Sequence, residues 1–132
     1  MSKITRLPAA FFLVAHGMAH LMATSVYWKL KESPDLVYQT TVLSGRLDLG
    51  ETGIWIYGLL WLVTGIGTAV AGVGLGLNTR WARPLLLAAT LLSLALCALV
   101  LDRAIVGAVI DVVILVGLLR QPMPAAQTAG VR

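Results

Sequence analysis

Two histidines, His16 and His20, lie in an apolar run near the start of the chain, which has no others. Four residues apart, they fall on one face of a helix. Asp111 lies within a second apolar run. A carboxylate at mid-membrane depth costs roughly 2.5–3.5 kcal/mol on insertion scales, so we expect Asp111 to face the protein interior. Residue counting along the predicted helices places Asp111 level with His16, so the two meet if their helices are neighbours.

A His–Asp pair in a low-dielectric site is suited to acid–base chemistry on a lipid-soluble substrate, such as a quinone, an isoprenoid or an epoxide. We therefore predict a site that binds a lipophilic small molecule, and leave open whether it also converts that molecule by acid–base chemistry. The predicted catalytic residues are His16 and His20 as donor or base, with Asp111 orienting or ionising them. The predicted binding residues are Tyr27, Arg46, Asp48, Glu51 and Trp55. The alternative is a non-catalytic accessory or structural membrane protein whose polar core only fixes helix packing.

A metal site is a further alternative. Histidines at i and i+4 have the spacing of two ligands on one helix, and Asp111 would supply a third. Gly17, Met18 and Ala19 lie between the histidines, so no general base does. Haem is disfavoured because two histidines on one helix face cannot take opposite axial positions. We predict no cofactor, with a metal at His16, His20 and Asp111 as the alternative.

The composition is that of a membrane protein. Of 132 residues, 58% are hydrophobic and 12% charged, against about 25% charged in soluble domains. A soluble chain of this size could not bury so much apolar surface. The net charge of +4 does not indicate nucleic-acid binding, because the basic residues lie near segment ends and form no patch. The histidines, and the lack of an A-x-A site, favour a retained first helix over a signal peptide.

Hydropathy predicts an all-α, four-helix transmembrane bundle. One membrane domain covers residues 1–123, with helices at about 8–28, 52–77, 82–101 and 103–120, and residues 124–132 form a flexible tail. Pro8 is predicted in the first helical turn, and Asp102 and Arg103 in a tight turn between the last two helices. Segment 36–43 is partly apolar and is expected to lie on the bundle mouth or dip into it.

Gly58, Gly65 and Gly72 recur every seven residues and give the second helix a face for close packing. This face is predicted to pack within the bundle or to form a homodimer. Basic residues favour a plasma (inner) membrane protein with both termini cytoplasmic. Six of the ten would then be cytoplasmic: Lys3, Arg6, Arg80, Arg83, Arg120 and Arg132.

Two segments carry a resemblance: AHGMAHLMA at residues 15–23 and TTVLSGRLDLGETG at 40–53. The chain resembles small four-helix bacterial integral membrane proteins with H-G-x-x-H in the first helix and G-R-x-D-x-G in the first loop. In layout it is also similar to DoxX-like proteins. The resemblance implies the fold and the membrane location, and no established activity. His16, His20, Arg46 and Asp48 occupy the pattern positions.

Overall fold

The computed structural model describes residues 3–34 and 36–120, and the predicted tail at 124–132 lies outside them. It is a bundle of four α-helices, which confirms the predicted all-α fold. The helices are α1 (Lys3–Tyr27), α2 (Gly50–Gly76), α3 (Ala82–Leu99) and α4 (Leu101–Arg120). Each helix packs against the next in the chain, whereas α1 and α4 do not pack closely along their lengths.

Three helices are long and apolar enough to cross a membrane: Thr5–Tyr27, Gly50–Gly76 and Ala82–Leu99. The 20-residue α4 has the length of a span but carries Asp102, Arg103, Asp111 and Arg120. Large apolar side chains cover the outside of the bundle, including Phe11, 78% exposed, and Val106, 71% exposed. A soluble monomer rarely exposes so wide an apolar surface, and a bilayer would cover it. The protein is a membrane protein.

Helix α1 begins at Lys3, five residues earlier than predicted. The prediction that Pro8 lies in the first turn is wrong, because Pro8 lies inside the helix and leaves the carbonyl of residue 4 without its usual i+4 donor. The other end is a Schellman motif. Lys29 adopts a left-handed φ of 58°, its N–H bonds the Val26 carbonyl at 2.9 Å, and the Leu30 N–H bonds the Ser25 carbonyl at 2.7 Å.

The connection between α3 and α4 also differs from the prediction. Asp102 and Arg103 belong to the first turn of α4, and Val100 alone separates the two helices. Helix α4 then bends at Ala104, where φ is −109° and ψ is 17°. The bend and the single-residue turn bring Arg103 back toward the loop, where its guanidinium donates to Gln39 Oε1 at 3.0 Å and to the Val37 carbonyl at 3.3 Å.

The glycine face of α2 packs against α1 within the same chain. A Cβ added to Gly65 would lie 2.8 Å from the Gly17 carbonyl oxygen, and one added to Gly72 would lie 2.9 Å from Leu13 Cβ. A Cβ on Gly58 would lie 2.9 Å from the Trp28 ring. A homodimer through these glycines would therefore require α1 to separate from α2.

The loop between α1 and α2 contains two short antiparallel strands, β1 (Thr41–Val42) and β2 (Leu47–Asp48). Val42 is fully buried in the core, and the following Leu43 N–H bonds the Leu99 carbonyl at 2.7 Å. Segment 36–43 was expected to lie on the bundle mouth or to dip into it, and the burial of Val42 shows that it dips into it. The loop thus closes the end of the bundle at which α1 and α3 finish.

Candidate functional site

A cavity of about 300 Å³ lies between α1 and α4, on the side of the bundle where these helices do not pack closely. His16 and His20 line it from α1, Gly107 and Ile110 line it from α4, and Trp61 of α2 contributes to its wall. Most other lining side chains are apolar, among them Ala19, Met22, Ala23, Val26, Leu36, Val100 and Val106. The two histidines therefore border a space with apolar walls.

His16 and Asp111 meet at the inner edge of this cavity. His16 Nε2 lies 3.0 Å from Asp111 Oδ1, and the two side chains are 6% and 2% exposed. This confirms that the two residues come together, as the residue counting along the helices predicted. The contact joins α1 to α4 across the gap, so it fixes the distance between two helices whose backbones stay apart.

The pair belongs to a longer polar chain inside the bundle. The His20 ring meets the His16 ring edge-on with centroids 4.6 Å apart, and the Ser93 hydroxyl lies 3.4 Å from His20 Nε2. At the other end, Cys97 Sγ lies 4.0 Å from Asp111 Oδ2. Because Ser93 and Cys97 are one turn apart on α3, the chain connects α3, α1 and α4. We call these five residues the polar chain.

The cavity extends toward the loop. A second cavity, of about 650 Å³, lies under residues 29–33 and 36–38 and shares Val26, Ser33 and Leu36 with the first. Arg103 lines the first cavity. Its hydrogen bonds to Val37 and Gln39 hold it in place. The cavity beside the histidines therefore borders the one under the loop.

Of the five predicted binding residues, Tyr27 lines the cavity, buried to 3% exposure. The other four lie elsewhere. Trp55 stacks on Trp28 with ring centroids 5.3 Å apart, and Arg46 lines a separate surface cavity. Asp48 accepts the Gly50 N–H at 2.9 Å, while Glu51 pairs with Lys29 and Tyr38. Their part in ligand binding stays a prediction.

Four side chains at the cavity were not among the predicted site residues: Trp61, Ser93, Cys97 and Arg103. Thr90, Ser93 and Cys97 recur at helical spacing, a pattern that could have identified this face of α3, which contacts the site through Ser93 and Cys97. Trp61 carried no such signal, because which face of α2 meets His20 depends on helix packing. Its ring centroid lies 5.1 Å from that of His20.

His16, His20 and Asp111 also have the composition of a metal-ligand set. One ligand atom from each lies within 4.8 Å of the others, and all three residues are buried. Imidazole and carboxylate ligands suit zinc and related divalent ions. The predicted alternative of a metal at these residues is therefore compatible with the geometry.

Comparisons with protein-family models, with curated proteins and with solved structures find no match to this chain. An assignment of function therefore rests on the site itself.

Asp48 gives the loop a contact that depends on pH. Its Oδ1 accepts the Gly50 N–H at 2.9 Å, and the Thr40 side chain also hydrogen-bonds to the carboxylate. The Gly50 hydrogen bond, followed by that of Thr40, lowers the pKa of Asp48 below its ordinary value of 3.8. A carboxylate with a lowered pKa stabilises the fold above its unfolded pKa, and the contribution is lost as the pH falls through the folded pKa.

Acid should therefore loosen the loop. Hydrogen exchange of residues 36–49, corrected for the intrinsic pH dependence of amide exchange, is expected to rise as the pH falls below 3.8. The Asp48→Asn variant should exchange faster already at neutral pH and lose the acid step. Glu32→Gln removes another exposed carboxylate of the same loop and is the matched control. An acid step that disappears in Glu32→Gln and persists in Asp48→Asn would contradict this assignment.

Proposed function

We propose that the protein binds a lipophilic small molecule in the cavity between α1 and α4, with the His/Asp group as its polar anchor and acid–base centre. The observation that carries this proposal is the cavity itself, about 300 Å³ and bordered by His16 and His20. A polar core that served only to lock helices together would need no such space beside it. Ligand sites in helix bundles are commonly apolar cavities with a few convergent polar groups.

The polar chain supports an acid–base role within that site. Asp111 holds His16 by a 3.0 Å contact, the arrangement in which a carboxylate fixes the orientation and tautomer of a histidine base. His20 lies beside it and is steadied by Ser93. A carbonyl or hydroxyl of the bound molecule would meet these imidazoles, while its apolar part would occupy the walls formed by α1 and α4.

The second candidate is a structural or accessory membrane protein. The observation that favours it is that the His16–Asp111 contact already satisfies one buried polar atom on each partner. Such a pair joins α1 to α4 whether or not a ligand is present. The two candidates differ in one consequence: only the first requires the cavity to be filled by a foreign molecule.

We also propose a location in the plasma (inner) membrane of a bacterium, with both termini cytoplasmic. The support is the excess of basic residues on the side of the termini, six of ten, and the resemblance of the first helix and first loop to small four-helix bacterial membrane proteins. On this orientation the loop that closes the bundle faces outward, and lipid would reach the cavity through the gap between α1 and α4.

Filling the cavity should remove the bound molecule without unfolding the protein. Ala19 lines the cavity on the exposed rim of α1, so Ala19→Phe would occupy ligand space while displacing little core. Ala15 is one turn away, exposed and outside the cavity lining, which makes Ala15→Phe the matched control. Native mass spectrometry and organic extraction of the purified proteins should find a co-purifying molecule in wild type and Ala15→Phe, strongly reduced in Ala19→Phe.

Equal recovery of that molecule from both variants would place it on the lipid-facing surface, and the proposed cavity function would be wrong. If wild type itself carries nothing, and a panel of quinones and isoprenoids leaves its thermal stability unchanged, the structural candidate stands instead.

A further inference from the structure

We propose that His16, His20 and Asp111 form a binding site for a single divalent transition-metal ion of the zinc type. The starting observation is that one ligand atom from each residue lies within 4.8 Å of the other two. All three residues are at least 93% buried, with exposures of 7%, 5% and 1%. They come from two helices whose backbones do not pack closely. The orientation of the side chains therefore brings the three ligand atoms together.

The spacing needs little adjustment to hold an ion. Zinc binds histidine nitrogen and carboxylate oxygen at about 2.0–2.2 Å, so neighbouring ligand atoms of a tetrahedral site lie roughly 3.3 Å apart. His16 Nε2 and Asp111 Oδ1 are 3.0 Å apart, and the complete set lies within 4.8 Å. The longest of the three separations must therefore shorten by no more than about 1.5 Å.

The donor set also suits the surroundings. Two neutral imidazoles and one carboxylate carry a net charge of −1, so a divalent ion bound to them leaves a net charge of +1, which an anionic group of the cavity's occupant at an open position would neutralise. Cys97 lies beside the set, 4.0 Å from Asp111. Two histidines and one carboxylate leave further coordination positions open, as in catalytic zinc and non-haem iron sites.

The open position would face the cavity, because both histidines line it while Asp111 lies behind them at 1% exposure. The surrounding side chains fit the pattern in which outer contacts orient metal-binding histidines. Ser93 contacts His20 at 3.4 Å, and the Phe12 ring is parallel to that of His16, with centroids 6.1 Å apart. A bound ion would polarise a carbonyl or hydroxyl of the cavity's occupant.

Metal binding goes beyond the proposed function, and it can be tested without knowing the lipophilic ligand. The full chain is purified through an affinity tag that contains no histidine, stripped with chelator, and equilibrated with zinc in detergent. Zinc per chain is measured by elemental mass spectrometry after equilibrium dialysis. Wild type should bind one zinc. The affinity of His20→Ala and Asp111→Asn for zinc should fall by more than about 100-fold. Mutation of a residue that contacts a metal ligand without binding the metal typically costs about 10–100-fold.

Asp102→Asn is the matched control for Asp111→Asn, since it removes a carboxylate from the same helix at an exposed position outside the cluster. It should retain one zinc. Folding is controlled by thermal melting: zinc should raise the Tm of wild type and Asp102→Asn and leave the Tm of the two ligand variants unchanged. Wild type that binds no zinc, ligand variants that bind it as wild type does, or loss of zinc in Asp102→Asn would each overturn the site. None of these outcomes affects the Ala19→Phe comparison, so the two proposals can fail separately.

Discussion

Replacing His16 by alanine should lower the free energy of unfolding by about 3–5 kcal/mol, the range found when a buried carboxylate is left without its partner. The variant leaves the Asp111 carboxylate at 1% exposure with the Cys97 contact at 4.0 Å as its nearest remaining polar interaction. A lost neutral hydrogen bond within a membrane would account for only about 0.6–1.7 kcal/mol. The rest of the expected loss in unfolding free energy comes from the buried carboxylate of Asp111, which no longer has its partner. Reversible unfolding in mixed micelles, followed by tryptophan fluorescence, measures the difference.

The double variant His16→Leu with Asp111→Leu distinguishes the effect of removing the whole pair from the effect of removing one partner. Replacing a buried pair by apolar residues of similar volume is often neutral, or stabilising by about 1–4 kcal/mol. The double variant should therefore be at least as stable as wild type, although each polar group has been lost. A double variant as unstable as His16→Ala would mean that the shapes of these two side chains, rather than their polar contact, stabilise the site.

The double variant also connects stability with function. If the pair serves a ligand or a metal, the stabilised protein should bind neither, which is the usual exchange of stability for activity at functional sites. A double variant that keeps its co-purifying molecule would show that the apolar walls alone hold it. The double variant thus tests whether the His16–Asp111 pair binds a ligand or only holds the helices together.

The contact between His16 and Asp111 could be predicted because two independent constraints agreed. An intramembrane carboxylate must find a partner, and residue rise along a helix fixes relative depth. The prediction succeeded although α1 begins at Lys3 rather than Pro8. The predicted helix ends were therefore a poorer guide to the depth of His16 in the membrane than the apolar segment. The position of the apolar segment determines how deep each residue of the helix lies.

The remaining site residues depend on rotation of helices about their axes, which a single sequence does not specify. Trp61 and Trp55 are both on α2, six residues apart, yet the first lines the cavity and the second stacks on Trp28 outside it. Arg103 reaches the cavity because α4 bends at Ala104, and no proline or glycine at that position signals a bend. Likewise, Glu51 binds Lys29 and Tyr38 rather than facing the cavity, because the loop offers it a cation and a hydroxyl.

The glycine spacing predicted a closely packed face on α2, and the structure shows that α1 is the helix that packs against it. Gly17 lies between His16 and Met18, and a Cβ added there would lie 2.6 Å from the Gly65 carbonyl oxygen and 2.8 Å from the Ala69 nitrogen. Both neighbours are backbone atoms, so they cannot yield by side-chain rotation. The helices themselves would have to separate.

Gly17→Ala should therefore destabilise the protein by about 1–3 kcal/mol, the usual range for overpacking, when measured by the same unfolding titration. Gly117→Ala is the control, because a Cβ on Gly117 meets nothing within 4 Å, and its stability should equal that of wild type or exceed it by up to about 1 kcal/mol, since alanine is the better helix former. Separation of α1 from α2 would also move His16 relative to Asp111, so Gly17→Ala should weaken ligand and zinc binding without touching a binding residue. Unchanged stability in Gly17→Ala would contradict the close packing of α1 on α2, and with it the position assigned to the histidines.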